Sequence, residues 1–257
     1  MDLQVETNTL LAVLLGAARC GAWLMITPPF SARGVPTPIK ALLSVAIVVP
    51  LTPRLAAQVP VDPSTAVLIA LLVEQIVIGA ALGFLTAILF AALQSAGNLI
   101  DVTGGFSLAF AVDPFGFQGN AVFGRFYNIL ATALLFATDA HQLVLRGFTE
   151  SYKAIPLNGA LSLEAFNRVL TTGLAEMFVS ALQIAGPLIA VLFCTDIALG
   201  LLSRAAPALN AFNLGFPAKI LLTLVLMASA IMLLPQAIGS LTDKAVHAVL
   251  AVLQASR

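Results

Sequence analysis

The chain has 257 residues, 60% of them hydrophobic and 9% charged, with a mean hydropathy of +1.03 and no formal net charge. A soluble domain carries roughly 25% charged residues, so this composition excludes a chain that covers a water-facing surface by itself. No clustered basic face is present, which excludes nucleic acid as the natural partner.

The first apolar stretch covers 9–30 and carries Arg19 and Cys20. The residues before it hold no basic run, and no small-residue cleavage site follows, so no removable signal is expected. The second stretch, 38–51, is shorter than the ~20 residues that cross a ~30 Å hydrocarbon core. The third, 65–100, is too long for a simple span and would reach ~50 Å as a helix. Within it, Gly79-Ala-Ala-Leu-Gly83 is a small-residue spacing that lets helices approach closely. Intrachain packing is a simpler use of that spacing than a homodimer.

Residues 101–120 break the pattern. Gly104, Gly105, Gly116 and Gly119, with Asp113-Pro114 as a corner, argue against a continuous helix. Phe106, Phe110, Phe115 and Phe117 make the segment too apolar for a solvated loop. Flexible backbone with bulky rings suits a constriction that closes a pore by dewetting. A loop buried within its own protein, or a re-entrant segment facing lipid, suits the same residues equally.

The fourth stretch, 126–148, is interrupted at Ala137-Thr-Asp-Ala-His141, where Asp139 reads as a hairpin turn. The fifth, 169–202, contains Gly186-Pro187, and the sixth, 218–253, contains Pro235; both prolines are expected to kink or break their helices. Between these two stretches, residues 204–219 carry Arg204, Pro207, Asn210, Phe212, Gly215, Phe216 and Pro217. Two prolines stiffen this backbone, Gly215 frees it, and the two rings supply apolar anchors, so it reads as a packed loop with a Gly-Phe-Pro turn. The sum is an all-α integral membrane protein with about six apolar helical segments, kinked and hairpin-like. Helices broken at membrane depth need burial in protein, which partner subunits would supply. Basic residues divide almost evenly between alternate loops, so no orientation follows.

Catalytic signatures are missing: no HExxH, GxSxG, Walker A loop or CxxC pair occurs. With only His141 and His247, a histidine-rich metal site is ruled out. The reading is therefore no enzyme, no metal and no cofactor. Arg19, Glu74, Asp139, Glu176 and Asp196 lie inside apolar runs, where each costs ~2.5–3.5 kcal/mol at a bilayer centre. They suit a proton relay or substrate path, or more simply interhelical pairs or positions outside the hydrocarbon. A secondary transporter for a small solute would use such acids and broken helices, but no convincing internal repeat supports one. Cys20 and Cys194, both in apolar runs, read as buried, inert thiols.

Several of these segments, in order and at matching spacing, resemble the FliR family of flagellar type III export-gate proteins. Glu74-Gln-Ile-Val-Ile-Gly-Ala-Ala-Leu-Gly-Phe84 is similar to the family's Gln-x-x-Ile-Gly-x-x-Leu-Gly-Phe helix. Ala96-Gly-Asn-Leu-Ile-Asp101 and Phe106-Ser with Val112-Asp-Pro114 resemble its central loop. Arg204-Ala-Ala-Pro207, Asn210-Ala-Phe212 and Gly215-Phe-Pro-Ala-Lys219 resemble its most specific signature. The chain departs from the family at Ala208 and at Thr103-Gly104, where Gln and Gln-Met are common. The resemblance implies a subunit that assembles with FliP and FliQ into a helical gate around a channel for unfolded flagellar subunits, with FlhB and FlhA as neighbours. It implies a FliP-like part over 1–168, a FliQ-like part over 169–257, and a plug formed by about 106–120. It also implies the bacterial inner membrane at the flagellar basal body. The counterpart subunit of a virulence-type injectisome is the near alternative, and Gly215-Phe216-Pro217 looks more like the flagellar form.

Overall fold

The computed structural model describes residues 2–31, 34–59, 63–106, 122–206 and 211–256, without the side chains of 2–6 and 211–214. It is 88% helical, and no strand occurs among the described residues, which makes the fold all-α. The helices are α1 (Asp2–Ile26), α2 (Thr37–Val48), the short α3 (Thr52–Leu55), α4 (Thr65–Thr103), α5 (Val122–Ala137), α6 (Ala140–Ala154), α7 (Leu163–Ala205), α8 (Ala211–Ile231) and α9 (Leu234–Ala255). Among the described residues, four helical runs are long and apolar enough to cross a membrane, and two bent pairs raise that number to six.

Proline behaves differently at each of its positions. The second apolar stretch, too short by sequence, becomes a 22-residue run over Thr37–Gln58. Pro38 lies in the first turn of α2, Pro50 in the first turn of the 3-10 segment that follows, and Pro53 in the first turn of α3. A first-turn proline forfeits no helical hydrogen bond, so the chain stays helical through all three. The break expected at Gly186-Pro187 does not occur: α7 runs 43 residues with Pro187 inside it. Only one amide is lost there, and Gly186 offers no Cβ to clash with the following ring. Pro235 stands in the opening turn of α9, so the break precedes it at Met232-Leu233, with a bend of 61°. Asp139 adopts φ 56° between α5 and α6 and turns the chain by 80°, a corner rather than the hairpin reversal expected. Aspartate tolerates this left-handed conformation, and Gln142 Nε2 donates to its carboxylate at 3.1 Å.

The chain forms two compact units, interleaved in sequence. One contains 1–89, 139–174 and 241–257; the other contains 90–138 and 175–240. In the first unit Trp23 stacks on Phe148 at 4.4 Å, and Phe148 meets Tyr152 edge-on, over a core of Leu15, Leu24, Ile78, Leu82 and Leu85. The second unit buries Leu93, Ile100, Tyr127, Leu135, Leu192 and Ile238. Large apolar side chains are also left outside, among them Phe178, Leu182, Phe193 and Leu201 on α7 and Leu221 and Val225 on α8. That surface belongs in lipid or against other subunits.

Candidate functional site

The described residues nearest the phenylalanine-rich segment lie in the second unit, at the joint between the end of α4 and the start of α5. Gly105 ends α4 with φ 85°, the left-handed conformation that glycine adopts at no steric cost. The opening amides of α5 have no helical carbonyl to bond. Asp101, buried on α4, fills that need: Phe123 N donates to its Oδ2 at 3.0 Å, and Gly124 N donates to the same oxygen at 3.1 Å. The helices touch backbone to backbone here. A Cβ on Gly97 would lie 2.5 Å from Phe123 O and 2.6 Å from Gly124 Cα. Phe106 packs edge-on against Phe123, ring centroids 4.9 Å apart.

The same joint meets α8. The ring of Phe216 lies against Gly105, and Thr223 stands beside Gly104. Phe106 and Phe216, drawn from the two segments singled out by sequence, therefore flank one short stretch of backbone. Phe110, Asp113, Pro114, Phe115 and Phe117 lie outside the described residues, as do Pro207, Asn210 and the side chain of Phe212.

Among the described residues of the 204–219 segment, 204–205 and 211–219 are helical, so helix reaches further into it from both sides than the loop reading expects. Arg204 is exposed in the last turn of α7, and Gly215, Phe216 and Pro217 belong to α8. Pro217 lies inside α8, past its first turn, and the helix continues through it, so no Gly-Phe-Pro turn is present. Gly215 is buried without positive φ, and an added Cβ would meet only the flexible end of Leu199, at 3.0 Å. Gly215→Ala is therefore expected to be tolerated. A helix gain of about 1 kcal/mol offsets the shift of Leu199, and melting in detergent should change little. A large fall in melting temperature would show that Leu199 cannot yield.

Gly79 and Gly83 lie in the first unit, on the face of α4 that meets α1. A Cβ on Gly79 would collide with the backbone carbonyl of Arg19, and one on Gly83 would stand 3.1 Å from Trp23 O. Arg19 itself is wholly buried. Its Nε donates to Gln75 Oε1 at 2.7 Å, and its Nη1 donates to Ser151 O at 3.1 Å and Ile155 O at 2.9 Å. Its guanidinium also lies 4.8 Å from the ring centre of Tyr152, whose hydroxyl donates to Gly16 O at 2.8 Å. In the second unit Lys219 on α8 pairs with Asp196 on α7 at 2.7 Å. Two of the ionisable residues inside apolar runs are thus satisfied between helices. Cys20 is buried, Cys194 is exposed rather than buried, and both are free thiols. No group of three His, Cys, Asp or Glu able to hold a metal occurs among the described residues.

Sequence reasoning missed Asp101 as a structural group, although it closes one of the quoted motifs. Its signal is a lone carboxylate at the end of a long apolar run, next to a glycine pair.

The fold and these joints define an all-helical membrane protein built from closely packed apolar helices. Residues 10–245 match the family described as bacterial export proteins, family 1. The chain is 35% identical over 210 residues to the flagellar biosynthetic protein FliR of Escherichia coli (strain K12), covering 81% of this chain and 79% of that one. It is 31% identical over 189 residues to FliR of Bacillus subtilis (strain 168), covering 71% and 73%. The surface presentation of antigens protein SpaR of Shigella sonnei is 27% identical over 157 residues, covering 61% and 60%. The chain belongs to the FliR family of bacterial export proteins.

Proposed function

We propose that the chain is a non-enzymatic subunit of the flagellar type III export gate. With FliP and FliQ it forms the channel for unfolded flagellar subunits in the bacterial inner membrane, at the flagellar basal body. FlhB and FlhA are its neighbours. The observation that carries this reading is similarity to proteins named as flagellar FliR over most of the chain. The relatives at 31–35% identity are flagellar FliR proteins, against 27% for SpaR, which supports the flagellar apparatus over its injectisome counterpart. Residues 1–168 form the FliP-like part and 169–257 the FliQ-like part. Phe106 to Asn120 plug the channel, and the 204–219 signature serves assembly. The apolar surface left exposed on α7 and α8 supports a subunit that is completed by partners.

Co-expression with FliP and FliQ is the direct test. The three should purify as one complex, whereas this chain alone should be degraded or polydisperse. A long-lived monodisperse monomer in detergent would overturn the assembly reading. Within an assembled complex, deletion of 110–117 should let small solutes and ions cross the membrane in the absence of secretion substrate. A deletion variant that is assembled, confirmed by pull-down, and as tight as the parent would remove the plug role.

A further inference from the structure

We propose that Asp101 is a positioning residue, a clasp that ties the last turn of α4 to the first turn of α5 and so sets the two points between which residues 107–121 run. The inference rests on the export-gate reading above and adds to it the group that holds the base of the plug.

Three observations converge. First, the Asp101 carboxylate is buried and takes two amides of α5, 22 and 23 residues further along the chain. Charge-assisted bonds to the positive end of a helix are among the stronger ones a protein makes. Second, Gly97 and Gly124 let the two backbones touch directly beside the carboxylate. The joint therefore has no side-chain layer that could slide. Third, Phe106 and Phe123, the residues nearest each end of the 107–121 segment with a described ring, lie edge-on against each other. The carboxylate, the glycine contact and the ring pair close one small ring of contacts. A carboxylate buried at the end of a long apolar helix is costly unless its oxygens are bonded, and the two α5 amides supply those bonds.

The geometry sorts the substitutions. Alanine removes both acceptors. Asparagine can place its oxygen where Oδ2 now serves both amides, but it turns its NH₂ toward Phe123 N, which already approaches the second oxygen, Oδ1, at 3.2 Å. Asparagine should therefore hold the joint partly.

The experiment uses the co-expressed complex in cells and the purified complex in detergent, with the parent, Asp101→Ala, Asp101→Asn and the 110–117 deletion side by side. Potassium leak across the membrane and hydrogen exchange of the peptide covering 122–126 are the readouts, with assembly checked by pull-down. Asp101→Ala should assemble, exchange faster at 122–126 and leak about tenfold more than the parent, the factor that about 1.4 kcal/mol delivers. Asp101→Asn should fall between the two. If the deletion leaks while Asp101→Ala stays tight, the clasp is overturned and the plug stands. If the deletion is itself tight, the plug reading falls, and exchange alone judges the clasp: unchanged exchange in Asp101→Ala overturns it and faster exchange upholds it. If the alanine variant does not assemble, Asp101→Asn is scored on the same readouts, and exchange and leak equal to the parent's overturn the proposal.

Discussion

Arg19→Leu is expected to lower the stability of the first unit by roughly 3 kcal/mol or more, from the loss of two or three buried acceptor bonds at about 1–3 kcal/mol each. Arg19 joins three helices at once: it sits on α1, bonds Gln75 on α4, and takes carbonyls at and just beyond the end of α6. Ser151 O has a second donor in Ile155 N, so it survives the loss. Ile155 O and Gln75 Oε1 have no other donor among the described residues, and leucine offers none. Burying the guanidinium carries its own cost, and leucine relieves it. That relief does not cancel two unmet acceptors in a site closed to water, because an acceptor stripped of its partner bears its full desolvation penalty. Lysine keeps the charge but not the planar fork, and it cannot reach α4 and α6 together. The expected order of melting temperature in detergent is parent, then Arg19→Lys, then Arg19→Leu, with steady-state levels following the same order. Pairing Arg19→Leu with Gln75→Leu should cost less than the sum of the two, because the single changes share one bond. An Arg19→Leu chain that melts with the parent would show that water or a partner subunit supplies these acceptors.

The long helices were legible because apolar runs bounded by glycine, proline and charge need little else, whereas the short α3 lay outside every run read from the sequence. Asp139 marked a true corner for a local reason, since its left-handed backbone is a property of one residue. Proline was less legible, because its effect depends on its place in a turn that the sequence does not number. Pro50 and Pro53 open helical segments and extend a span, Pro187 is absorbed behind a glycine, and Pro235 follows the break instead of making it. The helix through Gly215-Phe216-Pro217 was hidden for the same reason. The polar contacts were beyond reach altogether. Nothing local ties Arg19 to Ile155 or Asp101 to Gly124; only tertiary packing brings residues 136 and 23 positions apart into bonding distance.

Gly79→Ala is expected to be nearly as damaging as Arg19→Leu, although it adds a single methyl group. In an exposed helix the same change would gain about 1 kcal/mol through helix propensity. Here the added Cβ runs into the carbonyl oxygen of Arg19, with its carbonyl carbon 2.9 Å and its Cα 3.1 Å away. These are backbone atoms, so no rotamer change clears them, and α1 and α4 must separate along their contact. Separation also pulls Arg19 Nε from Gln75 Oε1, since the two side chains bridge the same pair of helices. Overpacking usually costs about 1–3 kcal/mol, and the coupled loss of the arginine bond places Gly79→Ala at or above the top of that range. Gly83, one helical turn along, provides the internal comparison. Its Cβ would find Thr27 Oγ1 and Trp23 O at 3.1 Å and Ile26 Cβ at 3.2 Å, distances that a shift of a few tenths of an ångström relieves. Gly83→Ala should therefore cost less than about 1 kcal/mol after the propensity gain. Melting of the complex in detergent, with steady-state level as a second readout, gives the ranking. Equal effects at the two positions would mean that α1 and α4 do not meet as closely as the Arg19 carbonyl requires. A tolerated Gly79→Val would remove the close approach altogether.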